Sequence, residues 1–289
     1  MDEQPLAWGF LLVPFAVTLV ITGIHVYLGL HVLSRGIIFV DLALAQVAAL
    51  GTTFAFLAGH EVDGPEAYWW GLGFTLVGAV IFSATRRIST RVPQEAIIGI
   101  VYAVASAGMI LAVDRSPHGA EHIKSLLVRD ILWVQDWKVV ARLAATFGAV
   151  GLFHFLARRR FLAATFQADG SRLRGWSLFL WDLLFYVTFG IVVTSAVRVA
   201  GVLLVFSYLM VPTVMAAILV DSLLARLLIG WGAGFLVSAA GLLASFAWDL
   251  PTGTTVVVTF GIALVLVAVG AWVVKALIGS RRGPDPALR

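Results

Sequence analysis

The chain has 289 residues, 61% of them hydrophobic and only 12% charged, against roughly 25% charged in a soluble domain. This composition excludes an ordinary soluble enzyme: at ~20 apolar residues per membrane crossing the chain has length for about eight to ten crossings and none left for a separate soluble domain. The net charge of +4 does not mark a nucleic-acid binder, because the arginines cluster beside apolar segments, where they act as orientation signals.

In chain order, the apolar runs predict an all-α polytopic bundle forming one transmembrane domain over residues 1–289. The spans fall near 6–30, 40–58, 68–84, 95–113, 139–157, 177–197, 199–219, 224–248 and 254–278. The start lacks a basic segment ahead of a short apolar core, so Leu6 onward reads as a first span and not as a cleaved signal. Arg86, Arg87 and Arg91, then Arg158 to Arg174, then Arg281, Arg282 and Arg289 form three basic groups. Placing them in the cytoplasm puts the N-terminus outside and the C-terminus inside a cell membrane. The stretch 121–138 reads as a loop with an interfacial helix or a re-entrant piece, its Trp133 and Trp137 suiting the interface. Cysteine is absent, which excludes disulfides and thiolate metal sites.

Polar groups inside spans are costly and so carry the chemical signal. Asp41 opens the second span as either a pathway ligand for a metal or a helix N-cap. Gln46 follows five residues later, about 140° round an ideal helix, off the stripe of Asp41. Asp182 is expected to pair with Arg172 or Arg174 at the membrane surface. His25 and His31 lie six apart, not at the spacing that puts two ligands on one face, and His25 reads as a core histidine. His154, near Arg158, is expected at the cytoplasmic edge; His118 and His122 fall in an external loop. Gly230 and Gly234 permit close helix approach, inside the subunit or between copies. No metalloprotease HExxH, no nucleophile elbow and no phosphate-binding glycine loop occurs. Any ATP that drives this protein is therefore bound by another chain.

The segment that organises the rest is AGVLLVFSYLMVPTVMAAIL, residues 200–219, followed by the polar stretch Asp221 to Arg226. Pro212 is expected to bend or end this helix as the chain leaves the hydrocarbon.

Five local patterns in order give the sequence a resemblance. RGIIFVDLALAQVAALGTTFAFLAG is similar to the arginine-led loop and second helix of the integral-membrane permeases of metal-ion ABC importers, which take up zinc, manganese or iron(II). PQEAIIGIVYAVASAGMILAV resembles that family's acidic-Ala-Ile-Gly-Ile helix. IKSLLVRDILWV resembles its Leu-Leu-x-Gly-x-Ile-Leu segment, with Arg129 in place of the glycine. RVAGVLLVFSYLMVPTVMAAIL and WDLPTGTTVVV resemble its Gly-Val-Leu-Leu and Asp-x-Pro-Ser-Gly segments.

The resemblance implies a non-enzymatic subunit with no bound cofactor, whose cargo is a divalent metal ion, zinc or manganese foremost. Its implied partners are a second copy of itself, separate ATP-binding ABC subunits, an extracytoplasmic metal-binding protein and the lipid bilayer. Pro212, Asp221 and Arg226 then belong to the element that couples to the ATPase, and Asp41, with Gln46, to the metal pathway. The family pattern Asp-x-x-x-His puts an imidazole one turn after the aspartate; here that position is Ala45. The alternatives are a permease for metal chelates such as siderophores or cobalamin-like ligands, and an ion-coupled secondary transporter or membrane enzyme. Against the last stand the lack of similar halves and the near isolation of Asp41.

Overall fold

The structure, a computed structural model, describes residues 6–86, 92–114, 129–166 and 175–281. Among them are ten α-helices, one short 3-10 turn and no strand: α1 Leu6–Arg35, α2 Val40–Leu57, α3 Pro65–Thr85, α4 Gln94–Val113, α5 Trp137–Leu156, α6 Arg158–Phe166, α7 Trp176–Ala200, α8 Val202–Leu219, α9 Leu223–Trp248 and α10 Thr252–Arg281. All but α6 are long and apolar enough to cross a membrane, giving nine candidate spans among the described residues. With no water in hydrocarbon, helices that satisfy their own backbones are the form such a sequence must take.

The helices sort into two packed groups. In one, α2 packs on α3 and α4, and α3 on α7; in the other, α8 packs on α1, α9 and α10, while α1 also touches α9 and α5. The core between them is aromatic and branched, with Phe185, Tyr186, Phe189, Tyr208 and Phe260 fully buried. Burial grades outward: 72% of the α2 span is inside the bundle but only 11% of α10. On α10, Val258, Ile262, Val265, Leu266 and Val269 lie exposed, an apolar face suited to lipid.

Small residues set the helix spacings. A Cβ at Gly230 would meet Val26 and one at Gly234 would meet Thr22, so this pair faces α1 of the same chain. At Gly29 a Cβ would collide with the Leu209 carbonyl of α8. Helices α7 and α8 are separated only by Gly201, with φ 78° and ψ 162°, a backbone region open essentially to glycine alone.

The helix containing Pro212 does not end at the proline but runs on to Leu219. The arginine-rich connection after α5 contains a helix, α6, that buries Phe161, Ala164 and Thr165. The stretch 121–138 has a 3-10 turn at Ile131–Trp133 before α5, its first part lying outside the described residues, as do His118 and His122.

Candidate translocation site

The turn between α1 and α2 is tight. Gly36 takes φ 66°, and the amides of Ile37 and Val40 bond back to the carbonyls of Val32 and Ile37. Phe39 is the N-cap of α2, but no side chain of its own turn caps the helix. The Phe39 amide instead donates to Glu95 Oε1 at 2.9 Å, from the first turn of α4. Asp41 therefore does not act as the cap. It is fully buried, and neither carboxylate oxygen has a hydrogen-bond partner.

Burying a carboxylate with no partner is expensive, and an acid inside a membrane bundle marks an ion path by default. The Asp41 carboxylate presents anionic oxygen without competing protein donors, which suits a cation. Gln46 is also buried, its Oε1 unpartnered, and sits ~7.5 Å further along α2. Ala45, one turn after Asp41, lies in the apolar core. Among the described residues, no group of three or more His, Cys, Asp or Glu side chains could hold a metal ion.

A second polar assembly ties the helix groups together at the same end of the bundle. Arg35 Nη1 and Arg86 Nη1 both donate to Asp182 Oδ1, at 2.9 and 2.5 Å. Arg35 Nε donates to Thr165 Oγ1, which also bonds His31 Nδ1, and Arg86 Nη2 donates to the Ala164 carbonyl. Asp182 thus pairs with α1 and the end of α3; Arg172 and Arg174 lie outside the described residues. His154, in the last turn of α5, is fully buried within the bundle. Its ring bonds Thr188 and Tyr27 and stacks on Phe161 at 4.0 Å. His25 is a core histidine, with Nδ1 2.8 Å from the Ile21 carbonyl oxygen.

Of the residues assigned to coupling, the structure brings two together. After α8 the chain is extended at Val220, and α9 begins at Leu223. Arg226 Nε donates to the Val220 carbonyl at 2.8 Å, and Arg226 Nη2 reaches Asp221 Oδ1 at 3.4 Å. Asp221 is fully exposed. Pro212 is apart from them, buried in α8 against Gly234 of α9. At the opposite end, Arg129 pairs with Asp63 at 2.9 Å beside a cavity of about 710 Å³ that Arg142 and Arg198 also line.

A bundle with nine candidate spans among the described residues, a buried unpartnered acid and a short exposed turn between two long helices has the form of a polytopic membrane protein. The chain matches the ABC 3 transport family over residues 8–271, and it belongs to that family. It is 24% identical to the chelated iron transport system membrane protein YfeC of Yersinia pestis, over 88% of this chain and 84% of that one. It is 22% identical to the manganese transport system membrane protein MntB of Synechocystis, over 98% and 91%. Its fold is similar to a chain of PsaBC from Streptococcus pneumoniae, solved in complex with a Fab. The TM-score is 0.72, with 18% identity and coverage of 91% of this chain and 92% of that one.

The sequence reading missed Glu95 as a site residue. Its signal was present only in part: an acid in the first turn of a span, directly after Pro93 and Gln94.

Proposed function

We propose that this chain is the membrane permease of an ATP-driven importer of divalent metal ions, with zinc or manganese as cargo. Two copies form the pathway. The observation that carries the reading is Asp41, an acid with no protein partner at the start of α2. The manganese system named for MntB supports this reading, whereas the chelated iron system named for YfeC fits the second reading given below.

A separate ATPase chain supplies the energy, and an extracytoplasmic binding protein supplies the ion. The end bearing Arg35, Arg86 and Arg158–Arg160 faces the cytoplasm on the positive-inside rule, which puts the N-terminus outside and the C-terminus inside. The Asp221–Arg226 turn then lies on the side where an ATPase docks. Closure of that ATPase moves the turn and, through α8 and α9, the helices around it, giving alternating access by rigid-body motion.

The test is uptake of zinc, manganese and iron(II) into vesicles that hold this chain with its ATPase and binding protein, with and without ATP. ATP-dependent accumulation of one ion is the expected result. ATP hydrolysis with no uptake of any free metal would favour the second reading, import of a metal chelate, to which Ala45 at the family's histidine position lends weight.

A further inference from the structure

The cavity between the starts of α3 and α5 and the end of α7 is walled by guanidinium groups from three separate elements: Arg129 ahead of the 3-10 turn, Arg142 in α5 and Arg198 in α7. Arg129 gives Nη2 to Asp63 Oδ1 at 2.9 Å, and its Nε is buried with no hydrogen-bond partner among the described residues. Arg198 gives Nη2 to the carbonyls of Asp63 and Gly64, at 2.6 and 3.0 Å, and lies 5.5 Å from the centre of the Tyr68 ring. Those acceptors are neutral, so they hold the guanidinium without cancelling its charge. Arg142, about a turn and a half into α5, has no ion pair among the described residues. Two carboxylates share the wall, Asp63 and Asp130, and Asp130 accepts from its own Leu132 amide. Three cations against two anions leave the cavity with one positive charge in excess.

Snorkelling of an arginine to the membrane surface accounts for Arg142, which is exposed. It does not account for Arg129, whose Nε is buried, nor for Arg198, which is half-buried. The rest of the wall is of another kind. Val139 and Leu143 of α5 and Val199 of α7 line it, as do Trp69 and Trp133, which are 65% and 73% exposed. Exposed indoles mark the level of lipid headgroups. A free anion would engage the guanidiniums and leave this apolar wall bare; a molecule with an anionic head and hydrocarbon tails meets both. Arg129 stands where the family segment that IKSLLVRDILWV resembles has glycine, so this chain adds one of the three guanidiniums.

We infer that this cavity binds the phosphate of an anionic phospholipid, with the headgroup held among Arg129, Arg142 and Arg198 and the acyl chains lying along the apolar residues of α5 and α7. A phosphodiester carries one negative charge, the amount that neutralises the cavity, and guanidinium forks match phosphate oxygens in geometry as well as in charge. Basic pockets between membrane helices take lipid headgroups in this way. The site depends neither on the cargo nor on the direction of transport.

The experiment uses the whole permease with its ATPase, purified in detergent and titrated with phosphatidylglycerol or phosphatidylcholine. Bound lipid is counted by native mass spectrometry, and the melting temperature is followed alongside. Phosphatidylglycerol is expected to bind at one molecule per permease chain, to raise the melting temperature and to resist competition by inorganic phosphate; phosphatidylcholine is expected to bind more weakly. Arg129→Gly and Arg142→Gln are each expected to weaken phosphatidylglycerol binding about tenfold, the scale of one charge-assisted hydrogen bond. Arg159→Gln, which removes an exposed arginine at the other end of the bundle, is expected to leave it unchanged. Displacement by inorganic phosphate would make this a free-anion site and overturn the lipid assignment, as would equal affinity for the two lipids. Should Arg129→Gly fail to assemble, Arg142→Gln decides, because it breaks no ion pair among the described residues: wild-type phosphatidylglycerol binding in that variant overturns the site. Unchanged lipid binding in both variants, with weaker capture of the extracytoplasmic binding protein, would give the arginines to a protein partner instead.

Discussion

The Arg35 guanidinium meets the Asp182 carboxylate at 2.9 Å, joining α1 to α7 across the two helix groups, and both side chains are almost fully buried. Arg86 donates to the same oxygen. Removing the shared acid leaves two cations near one another in low dielectric, and breaking a buried pair in this way costs about 3–5 kcal/mol. Asp182→Ala is therefore expected to lower the unfolding midpoint in detergent sharply. Arg86→Ala, which leaves Arg35 on the acid, is expected to lower it less. Equal midpoints for wild type and Asp182→Ala would mean that the triad does not hold the groups together.

The Asp41 carboxylate makes no hydrogen bond, so its removal breaks none. Asp41→Ala is expected to abolish metal uptake while copurification with the ATPase and the melting temperature stay at wild-type values. Normal uptake rates in the variant would place the ion path elsewhere.

The Asp221–Arg226 pair is solvent-exposed, and such pairs contribute only about 0–1 kcal/mol to stability. Arg226→Ala also frees the Val220 carbonyl it holds. Its expected effect is on docking: weaker copurification of the ATPase and slower coupled ATP hydrolysis, with ion preference unchanged. A variant that copurifies and hydrolyses normally would show that coupling runs through another surface.

Gly201 carries the whole reversal between two membrane-length helices at φ 78° and ψ 162°. A Cβ there is expected to destabilise the protein by about 1–3 kcal/mol, read as a lowered thermal midpoint for Gly201→Ala. Gly9, around which a Cβ would meet no atom within 4 Å, provides the matched control.

The spans were legible because membrane length and apolarity are local properties of a sequence, and nine of nine expected segments have a described helix. Contacts between helices were not legible. Asp182 finds Arg35, 147 residues away, a partner no local pattern announces. Glu95 finds the Phe39 amide 56 residues away, and the choice of Asp41 between ligand and cap turned on that contact. Helix α6 was hidden because Arg158–Arg160 dominate its composition, while the side chains that hold it in place, Phe161 and Ala164, are few. Pro212 was expected to bend or end its helix, and the helix continues through it to Leu219. A proline removes one backbone donor, and packing of the buried α8 face against α9 and α1 keeps the rest in register.

Asp41 and Glu95 stand in the first turns of α2 and α4, where the peptide dipoles present partial positive charge. That field opposes an approaching cation, so an acid at a helix beginning attracts one less strongly than the same acid would at mid-helix. A carrier needs such loose custody: the ion must be attractive enough to take in and weakly enough held to let go. An acid at a helix beginning therefore favours throughput over retention.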